Sequence, residues 1–330
     1  MQLSQATDKY LQYRSTAYAS NTVTSDMNSL NKLKKHLGDV DLDSISTQTI
    51  DQFMNGPAFS NAAPATVNAT LNNLKQFFKY CRTRNLMENT DPLLGQRMRK
   101  KQPTYALRIP MQEFPALLDA AANPRDRMLI ACGLYLMLRS SEVVEIRIGD
   151  IDLSNQEIVV NIIKTKEIDT MPISPELDAE LRTYLTWYTN NHGPLQQDWY
   201  LVPVFTHSDT FQKHVLQPDR KMTTTDTAIK KAVHALGYPT DRVGMHTMRR
   251  SAARAIFQEK TALGYDGALR AVSSWLHHSN QSTSEIYLGL DIDKSSRNAE
   301  AKAAALYPSL TGGNVIQMRS ANGSHTHSAV

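Results

Sequence analysis

Apolar residues recur every three or four positions along most of the chain, which is the spacing of a helix that buries one face. In the first hundred residues this spacing predicts four helices, within QATDKYLQYR, TVTSDMNSLNKLKKHLG, DLDSISTQTIDQFM and APATVNATLNNLKQFFKYCRTRN. The fourth has the clearest pattern, because Leu71, Leu74, Phe78 and Cys81 fall on one side of it. Gly38 follows the second helix as a C-cap would. The first third of the chain is therefore predicted to be all helical.

From about residue 107 the helical spacing resumes, but one segment differs. In QEIVVNIIKTKEIDTMPIS, runs of β-branched residues flank the polar KTKEID, which predicts a β-hairpin. Further helices are predicted in PELDAELRTYLTWYTNNHG, DTAIKKAVHALG, HTMRRSAARAIFQEK, the stretch around Tyr287 and the Ala-rich AEAKAAALYPSL. The pattern as a whole predicts a mainly α fold with a small β-sheet or hairpin.

A basic stretch with two prolines, GQRMRKKQPTYALRIP, separates the two helical regions. We expect a helical domain over residues 1–98, a basic linker over 99–108 and an α+β domain over 109–308. Residues 309–330 are expected to form a flexible tail that carries one short apolar peptide, VIQM.

Composition is ordinary for a globular protein, with 41% hydrophobic and 21% charged residues. The N-terminus lacks the apolar core of a signal peptide, and no apolar run approaches the length of a membrane span. Cys81 and Cys132 both lie in apolar helical patterns, as reduced core cysteines do. These features favour a cytoplasmic protein.

Charge is distributed unevenly along the chain. Residues 1–106 carry thirteen Lys and Arg against eight Asp and Glu, and the remainder carries twenty-three against twenty-four. The whole formal excess therefore lies in the first third, as expected for a module that binds a polyanion. The candidate contacts to a phosphate backbone are Lys75, Lys79 and Arg82 on the fourth helix, and Arg97, Arg99, Lys100 and Lys101 in the linker. A solvated cationic helix face is the alternative interpretation of the first three.

In the second domain several polar residues stand out of place. Arg139 ends the apolar run GLYLMLR and needs an anionic partner, which Glu142 could provide. His246 and Arg249 are one helical turn apart in HTMRR. The remaining candidates are Lys164 in the hairpin, His278, and Tyr287 nine residues later. Each of these residues alone has an ordinary structural explanation.

Their order along the chain is more specific than any one of them. The motifs LRSSEV, IKTKEIDTMPI, HTMRRSAA and LHHSNQSTSEIYL resemble, in this order, those of the tyrosine recombinase (phage integrase) family. TVNATLNNLKQFFKYCRTRNLMENTDPL resembles the end of that family's core-binding domain, so the resemblance covers nearly the whole chain. Two glycines usual in the motifs are replaced, by Met137 and by His277, and neither replacement removes a catalytic side chain. His277 leaves open which histidine points inward, and the spacing to Tyr287 favours His278.

The resemblance implies a two-domain DNA clamp, in which a helical core-binding domain joins an α+β catalytic domain. It also implies roles for the candidates. Arg139 and Arg249 would bind the phosphate oxygens, Tyr287 would attack the phosphorus, and His246 would assist loss of the phenol proton. Lys164 would protonate the leaving 5′ oxygen, with Lys166 as the rival for that role, and His278 would donate a hydrogen bond to the phosphate. Glu142 and Asp150 would serve as structural partners of Arg139 or of a helix end.

The reaction implied is strand exchange through a 3′-phosphotyrosyl link, which needs no ATP, metal or other cofactor. The partners implied are double-stranded DNA recombination sites and further copies of the chain in a tetramer, with the tail docking on a neighbour. The chain begins directly with core-binding helices, so we expect a simple integrase without an arm-binding domain. The expected setting is phage or mobile-element integration at the prokaryotic nucleoid, and a directionality factor could take part.

Three alternatives stay open from the sequence. A type IB topoisomerase resembles this family in its residues and chemistry, but relaxes supercoils as a monomer. A DNA-binding regulator could keep the fold without cleavage, although a regulator has no use for Tyr287. An RNA-binding or purely structural helical protein would require the ordered set of motifs to be accidental.

Overall fold

The computed structural model describes residues 1–88, 91–100, 106–163, 166–208, 213–277 and 281–289, apart from the side chains of residues 206–208, 213–215, 281 and 286. The chain divides into two compact units, Met1–Thr104 and Tyr105–Val330. The division falls within the segment predicted as a linker, residues 99–108. The Ala-rich helix predicted near the C-terminus and the tail at 309–330 lie outside the described residues.

In the described part of the first unit, four helices form one hydrophobic core. They are α1 (Leu3–Ala17), α2 (Ser20–Leu37), α3 (Thr47–Asn55) and α4 (Pro64–Thr83). Pro64 starts α4, where a missing N–H costs nothing. The predicted apolar stripe of α4 is buried, and Phe77 beside it packs edge-on against Tyr10 of α1. The prediction of an all-helical N-terminal region is confirmed.

Eight α-helices lie in the described part of the second unit. They are α5 (Phe114–Asp119), α6 (Pro124–Tyr135), α7 (Ser140–Val143), α8 (Pro175–His192), α9 (Asp226–Ala235), α10 (Met245–Glu259), α11 (Gly264–Trp275) and α12 (Gln281–Leu288). Helix α6 is buried on every side from Met128 to Leu134, and α8 and α10 pack against it. Gly133 permits the close approach of α10, since a Cβ there would lie 2.9 Å from the Cβ of Met248. This contact fixes the helix that carries His246 and Arg249.

The predicted hairpin is present within a small antiparallel sheet. Strands β1 (Ile151–Asp152), β2 (Glu157–Ile162) and β3 (Glu167–Pro172) lie in that order, with Asp169 opposite Val160. Alternate residues of β2 are buried, as expected for a strand with one face on the core. Residues 164 and 165, which come between the two strands in the sequence, are outside the described residues.

A second hairpin, which the sequence pattern does not predict, follows α8. Strands β4 (Pro203–Ser208) and β5 (Lys213–Lys221) pair antiparallel, with an irregularity between Pro203 and Val204. Pro218 lies inside β5, and proline usually demotes a run from strand to loop. The overall prediction of a mainly α fold with small sheets is nevertheless confirmed.

Candidate active site

Arg139 lies immediately before α7 and is held there by one carboxylate. Glu142 accepts a hydrogen bond from the Arg139 backbone N–H at 2.7 Å and another from Nη1 of the same residue at 2.8 Å. The Glu142 side chain is completely buried, whereas that of Arg139 is 16% exposed. The predicted partnership with Glu142 is therefore present. Asp150 instead accepts a bond from the backbone N–H of Arg147, so it caps another turn.

Arg249 is a fully buried arginine on α10, and main-chain carbonyls hold its guanidinium. Nη1 donates to the carbonyl of Met137, and Nη2 donates to the carbonyl of Leu276. Burial lowers the pKa of Arg249 to about 10, while the adjacent Tyr287 and Glu142 act in the opposite direction. A pKa near that value still leaves the guanidinium positively charged at neutral pH. A charged donor is thus fixed in place inside the domain.

His246 projects from the first turn of α10. Although His246 is exposed at the surface, desolvation of its imidazole by the surrounding protein lowers its pKa below the ordinary 6.5, and the positive charges of nearby arginines lower it further. These arginines are Arg250, Arg249 and Arg139, while Asp226 opposes them. His246 is therefore biased toward the neutral imidazole, the form that can accept a proton.

Tyr287 lies on α12, next to His246. Its hydroxyl donates to the main-chain carbonyl of His246 at 3.3 Å, and the two ring centroids are 6.4 Å apart. Helix α12 is fastened to α11 by a hydrogen bond from Ser273 to Ser284 and by one from Tyr265 to Glu285. Two independent anchors thus fix the helix that carries the phenol.

The protonation of Tyr287 reflects two opposing effects. Burial raises the pKa of the phenol to about 12, although the charges of Arg249, Arg250 and Arg139 act to lower it. The Arg250 guanidinium lies 6.0 Å from the centroid of the Tyr287 ring. The phenol therefore keeps its proton in the DNA-free protein, within reach of several fixed positive charges.

The two positions where the family usually has glycine share one backbone conformation. Met137 has a φ of 49° and His277 a φ of 51°, both in the left-handed region that favours glycine. The His277 ring Nε2 lies 2.7 Å from Oδ2 of Asp169 on β3. This contact with the strand accounts for the side-chain direction of His277, which the sequence left open.

Two predicted catalytic residues, Lys164 and His278, lie outside the described residues. The rival for the lysine role, Lys166, is exposed and has a φ of 59°, and its backbone N–H donates to the carbonyl of Ile162 at 2.8 Å. The structure thus brings together Arg139, His246, Arg249 and Tyr287. The choice between Lys164 and Lys166 stays a prediction.

Two further residues of this region escape the sequence analysis. Arg250 directly follows Arg249 in HTMRR, and that adjacency was the available signal. Asp169 lies 108 residues before His277 along the chain, and nothing in the local pattern links the two. Both residues lie within motifs quoted above, but neither was singled out there as a site residue.

The cationic residues of the first unit differ from one another in their surroundings. Lys79 is exposed on α4, whereas Arg82 of the same helix forms an ion pair with Asp91 at 2.8 Å. Arg99 is partly buried, and its Nη2 donates to the carbonyl of Met54 at 2.8 Å. Among the others, Lys75 is half-buried, Arg97 and Lys100 are exposed, and Lys101 lies outside the described residues.

The described ranges contain neither a metal-binding cluster nor a membrane-spanning helix. No group of three or more His, Cys, Asp or Glu side chains there is arranged to hold a metal ion. No helix in the same ranges is both long and apolar enough to cross a bilayer.

Comparison with known proteins identifies both units. Residues 108–293 match the phage integrase family, and residues 3–88 match the phage integrase N-terminal SAM-like domain. A tyrosine recombinase of Pseudothermotoga lettingae is 26% identical over 223 residues, which cover 66% of this chain and 68% of the relative. Tyrosine recombinase XerC of Chromobacterium violaceum is also 26% identical, over 67% of this chain and 68% of that protein.

Solved structures share the fold at low sequence identity. A lambda integrase (residues 75–356) dimer bound to a COC′ core site has a TM-score of 0.67 at 15% identity, covering 87% of this chain and 95% of that one. The Tn1549 transposon integrase in complex with a circular intermediate DNA has a TM-score of 0.68 at 14% identity, with the same coverages. XerH recombinase bound to a palindromic difH substrate has a TM-score of 0.66 at 17% identity, covering 92% and 96%.

The fold and the family match define a site-specific DNA recombinase of the tyrosine class. Because the family model spans more than half of the 330 residues, the chain belongs to the phage integrase family.

Proposed function

We propose that this recombinase cuts DNA by attack of the Tyr287 hydroxyl on a backbone phosphorus, in the service of phage or mobile-element integration and excision. The observation that carries the proposal is the setting of Tyr287. Its hydroxyl lies against the His246 main chain, and arginine charges act on it from several sides. Buried arginines beside a tyrosine hydroxyl suit a reaction in which a phosphate must be neutralised as it is attacked.

The proposed step exchanges one ester bond for another. The bond from Tyr287 Oη to phosphorus forms as the bond from phosphorus to the 5′ oxygen breaks. The products are a 3′-phosphotyrosyl link and a free 5′-hydroxyl. A 5′-hydroxyl from a partner duplex then attacks the link, restores a DNA phosphodiester and releases the phenol. Since each bond broken is replaced by an equivalent bond, the cycle needs no ATP.

Each catalytic side chain has a separate task in this proposal. Arg139 and Arg249 donate to the non-bridging oxygens, which carry more charge in the transition state than in the substrate. Neutral His246 assists the transfer of the phenol proton, which the raised pKa of Tyr287 would otherwise retain. Attack also requires the phenol to exchange its bond to the His246 carbonyl for the phosphate. We assign the phosphate hydrogen bond to His278 and protonation of the 5′ oxygen to Lys164, with Lys166 as the alternative.

The wider assembly belongs to the same proposal. Lambda integrase has been solved as a DNA-bound dimer and as a tetramer on a Holliday junction, which supports oligomers of this chain on paired duplex sites. The helical unit would contact the phosphate backbone through the cationic residues Lys75, Lys79, Arg82, Arg97, Arg99, Lys100 and Lys101. Docking of the tail on a neighbouring copy, a directionality factor and a cytoplasmic location at the nucleoid stay predictions.

Covalent capture tests the chemistry directly. A nicked suicide duplex, built from candidate attachment sequences that flank the gene, should trap the protein in an adduct that survives denaturant. Tyr287→Phe should bind the same DNA with unchanged affinity and form no adduct, because the phenyl ring fills the same space without a nucleophile. Peptide mapping of the wild-type adduct should place the DNA on Tyr287.

A second tyrosine provides a matched control. Tyr265 also lies beside α12, and its hydroxyl donates to Glu285 at 2.6 Å. Tyr265→Phe should keep the adduct, which separates loss of a nucleophile from loss of a phenolic hydrogen bond near α12. Clear binding of the wild-type protein without an adduct on any site would contradict the proposal and favour a DNA-binding regulator. Relaxation of supercoils without a partner site would favour the topoisomerase alternative.

A further inference from the structure

His277 holds an unfavourable backbone conformation and makes a specific long-range contact. Its φ of 51° lies where a side chain is disfavoured, in the turn after α11. The imidazole is only 14% exposed, and its Nε2–H donates to the Asp169 carboxylate at 2.7 Å. The other ring nitrogen, Nδ1, is buried and has no hydrogen-bond partner among the described residues. The orientation of the ring is therefore set by Asp169.

Asp169 belongs to the hairpin that carries the candidate general acid. It lies on β3 opposite Val160, three residues after Lys166 and five after Lys164. On the other side of the turn, Arg249 holds the carbonyl of Leu276. The turn that leads into His278 is thus fixed from two directions, by α10 through Leu276 and by β3 through His277.

We propose that Asp169 and His277 form a positioning tie, which couples the β2–β3 hairpin to the turn before His278. The tie fixes the position of the side chain that protonates the 5′ oxygen relative to the side chain that binds the phosphate. The proposed role requires neither Asp169 nor His277 to contact the DNA. The inference rests on the proposed cleavage by Tyr287 and adds two positioning residues to it.

The sharpest variant is His277→Gly, because it removes the tie and relieves the backbone at the same time. A glycine accepts a φ of 51° without strain, so the variant should melt no lower than the wild-type protein. Adduct formation in a single turnover should nevertheless slow by about tenfold or more, because small misplacements of reacting groups are costly. DNA affinity should change by less than about twofold. A purely structural role for His277 predicts that glycine works at least as well.

Variants of the other partner test whether the two residues act as one unit. Asp169→Ala should slow adduct formation as much as His277→Gly, and the double variant should be no slower than either single variant. Asp169→Asn should keep most of the wild-type rate, because the amide oxygen still accepts the bond from Nε2. Asp178→Ala is the control, since it removes a carboxylate from the exposed Arg182 pair, and it should leave the rate unchanged. Additive losses in the double variant, or a wild-type rate in His277→Gly, would overturn the tie.

A second measurement does not depend on cleavage. Amide hydrogen exchange in the DNA-free full chain should become faster in His277→Gly over both residues 163–168 and residues 277–281. If the hairpin peptide exchanges at the wild-type rate, the tie does not couple the two segments, and the inference fails. Failure of the proposed function is a different result, because it appears as the absence of an adduct with the wild-type protein.

Discussion

At the scale of single residues, desolvation has the same consequence for His246 and Tyr287. It disfavours the charged form of each side chain, so the imidazole resists gaining a proton and the phenol resists losing one. At neutral pH the DNA-free site thus contains a neutral base beside a neutral phenol. The positive charge of the site resides in arginines, which do not titrate in that range.

The lowered pKa of His246 gives a pH dependence of stability with a definite sign. Below the ordinary imidazole pKa of 6.5 the unfolded chain binds a proton that the folded chain resists, so the free energy of unfolding falls as pH falls through that window. This part of stability is complete above that pH. His246→Gln should therefore show a smaller decrease in melting temperature than the wild-type protein between about pH 7.5 and 5.5.

The exposed His234 in the last turn of α9 provides the control for that experiment. His234→Gln should retain the wild-type pH dependence when both variants are followed by calorimetry without DNA. An equal pH dependence in His246→Gln and the wild-type protein would show that the desolvation and arginine charges around this imidazole do not influence folding.

The ordered motifs predict which residues meet at the site but not what holds them. Arg139, His246, Arg249 and Tyr287 are brought together as the family resemblance implies. The bond from His277 to Asp169 could not be predicted, because contacts across 108 residues depend on the packed fold rather than on local spacing. The left-handed backbone at Met137 and His277 is likewise invisible in the residue types, since neither residue favours it.

At the scale of elements, the end of α12 depends on one glycine. Gly289 follows the helix with a φ of 68°, and a Cβ there would lie 2.1 Å from Nη2 of Arg108. Gly289→Ala should therefore displace either Arg108 or the end of the helix, which carries Tyr287 two residues earlier. We expect a lower melting temperature and slower adduct formation on the suicide duplex.

Gly193→Ala separates the two causes of a lower stability in Gly289→Ala, which are backbone strain and contact with Arg108. Gly193 ends α8 with a φ of 83°, and a Cβ there would meet nothing within 4 Å. Gly193→Ala should cost only the backbone strain, about 1 kcal/mol, and leave adduct formation unchanged. Equal losses of stability in the two variants would mean that contact with Arg108 adds nothing at Gly289.

Local sequence predicts helices and strands well where one pattern of residue types continues along the segment. It predicts them poorly where proline and polar residues interrupt that pattern. The β2–β3 hairpin follows from the β-branched runs on either side of KTKEID, and the structure buries every second residue of EIVVNI. The β4–β5 hairpin is hidden, because Pro218 and the neighbouring polar residues resemble a loop. Its pairing is set by tertiary context rather than by the composition of β5.

At the scale of the whole molecule, the excess of positive charge in the first unit should appear as salt-dependent DNA binding. Lys79→Gln should lower the slope of log Kd against log salt by about 0.9, the value for one phosphate contact. Arg82→Gln should lower it less, because Asp91 already neutralises Arg82 at 2.8 Å. Fluorescence anisotropy with a labelled duplex over a series of salt concentrations measures both slopes, and equal slopes would contradict the distinction.

Two units with separate cores should also unfold separately. Phe77 is fully buried in the first unit, and Leu181 is fully buried in the second. Phe77→Ala should cost roughly 4 kcal/mol in the first unit and lower only one calorimetric transition of the full chain. Leu181→Ala should lower the other transition, and a shared shift of both transitions by either variant would indicate one cooperative unit.

Arg249 binds main-chain oxygens, and this has a consequence for how the sequence can diverge. A carbonyl is present at positions 137 and 276 whatever residue stands there, so exchanging Met137 or Leu276 does not remove a partner of the guanidinium. The volume available in the core limits which residues fit at both positions, and at Met137 the left-handed φ of 49° limits them as well. Selection at these two positions therefore acts on the path of the backbone, whereas at position 249 it acts on the identity of the side chain.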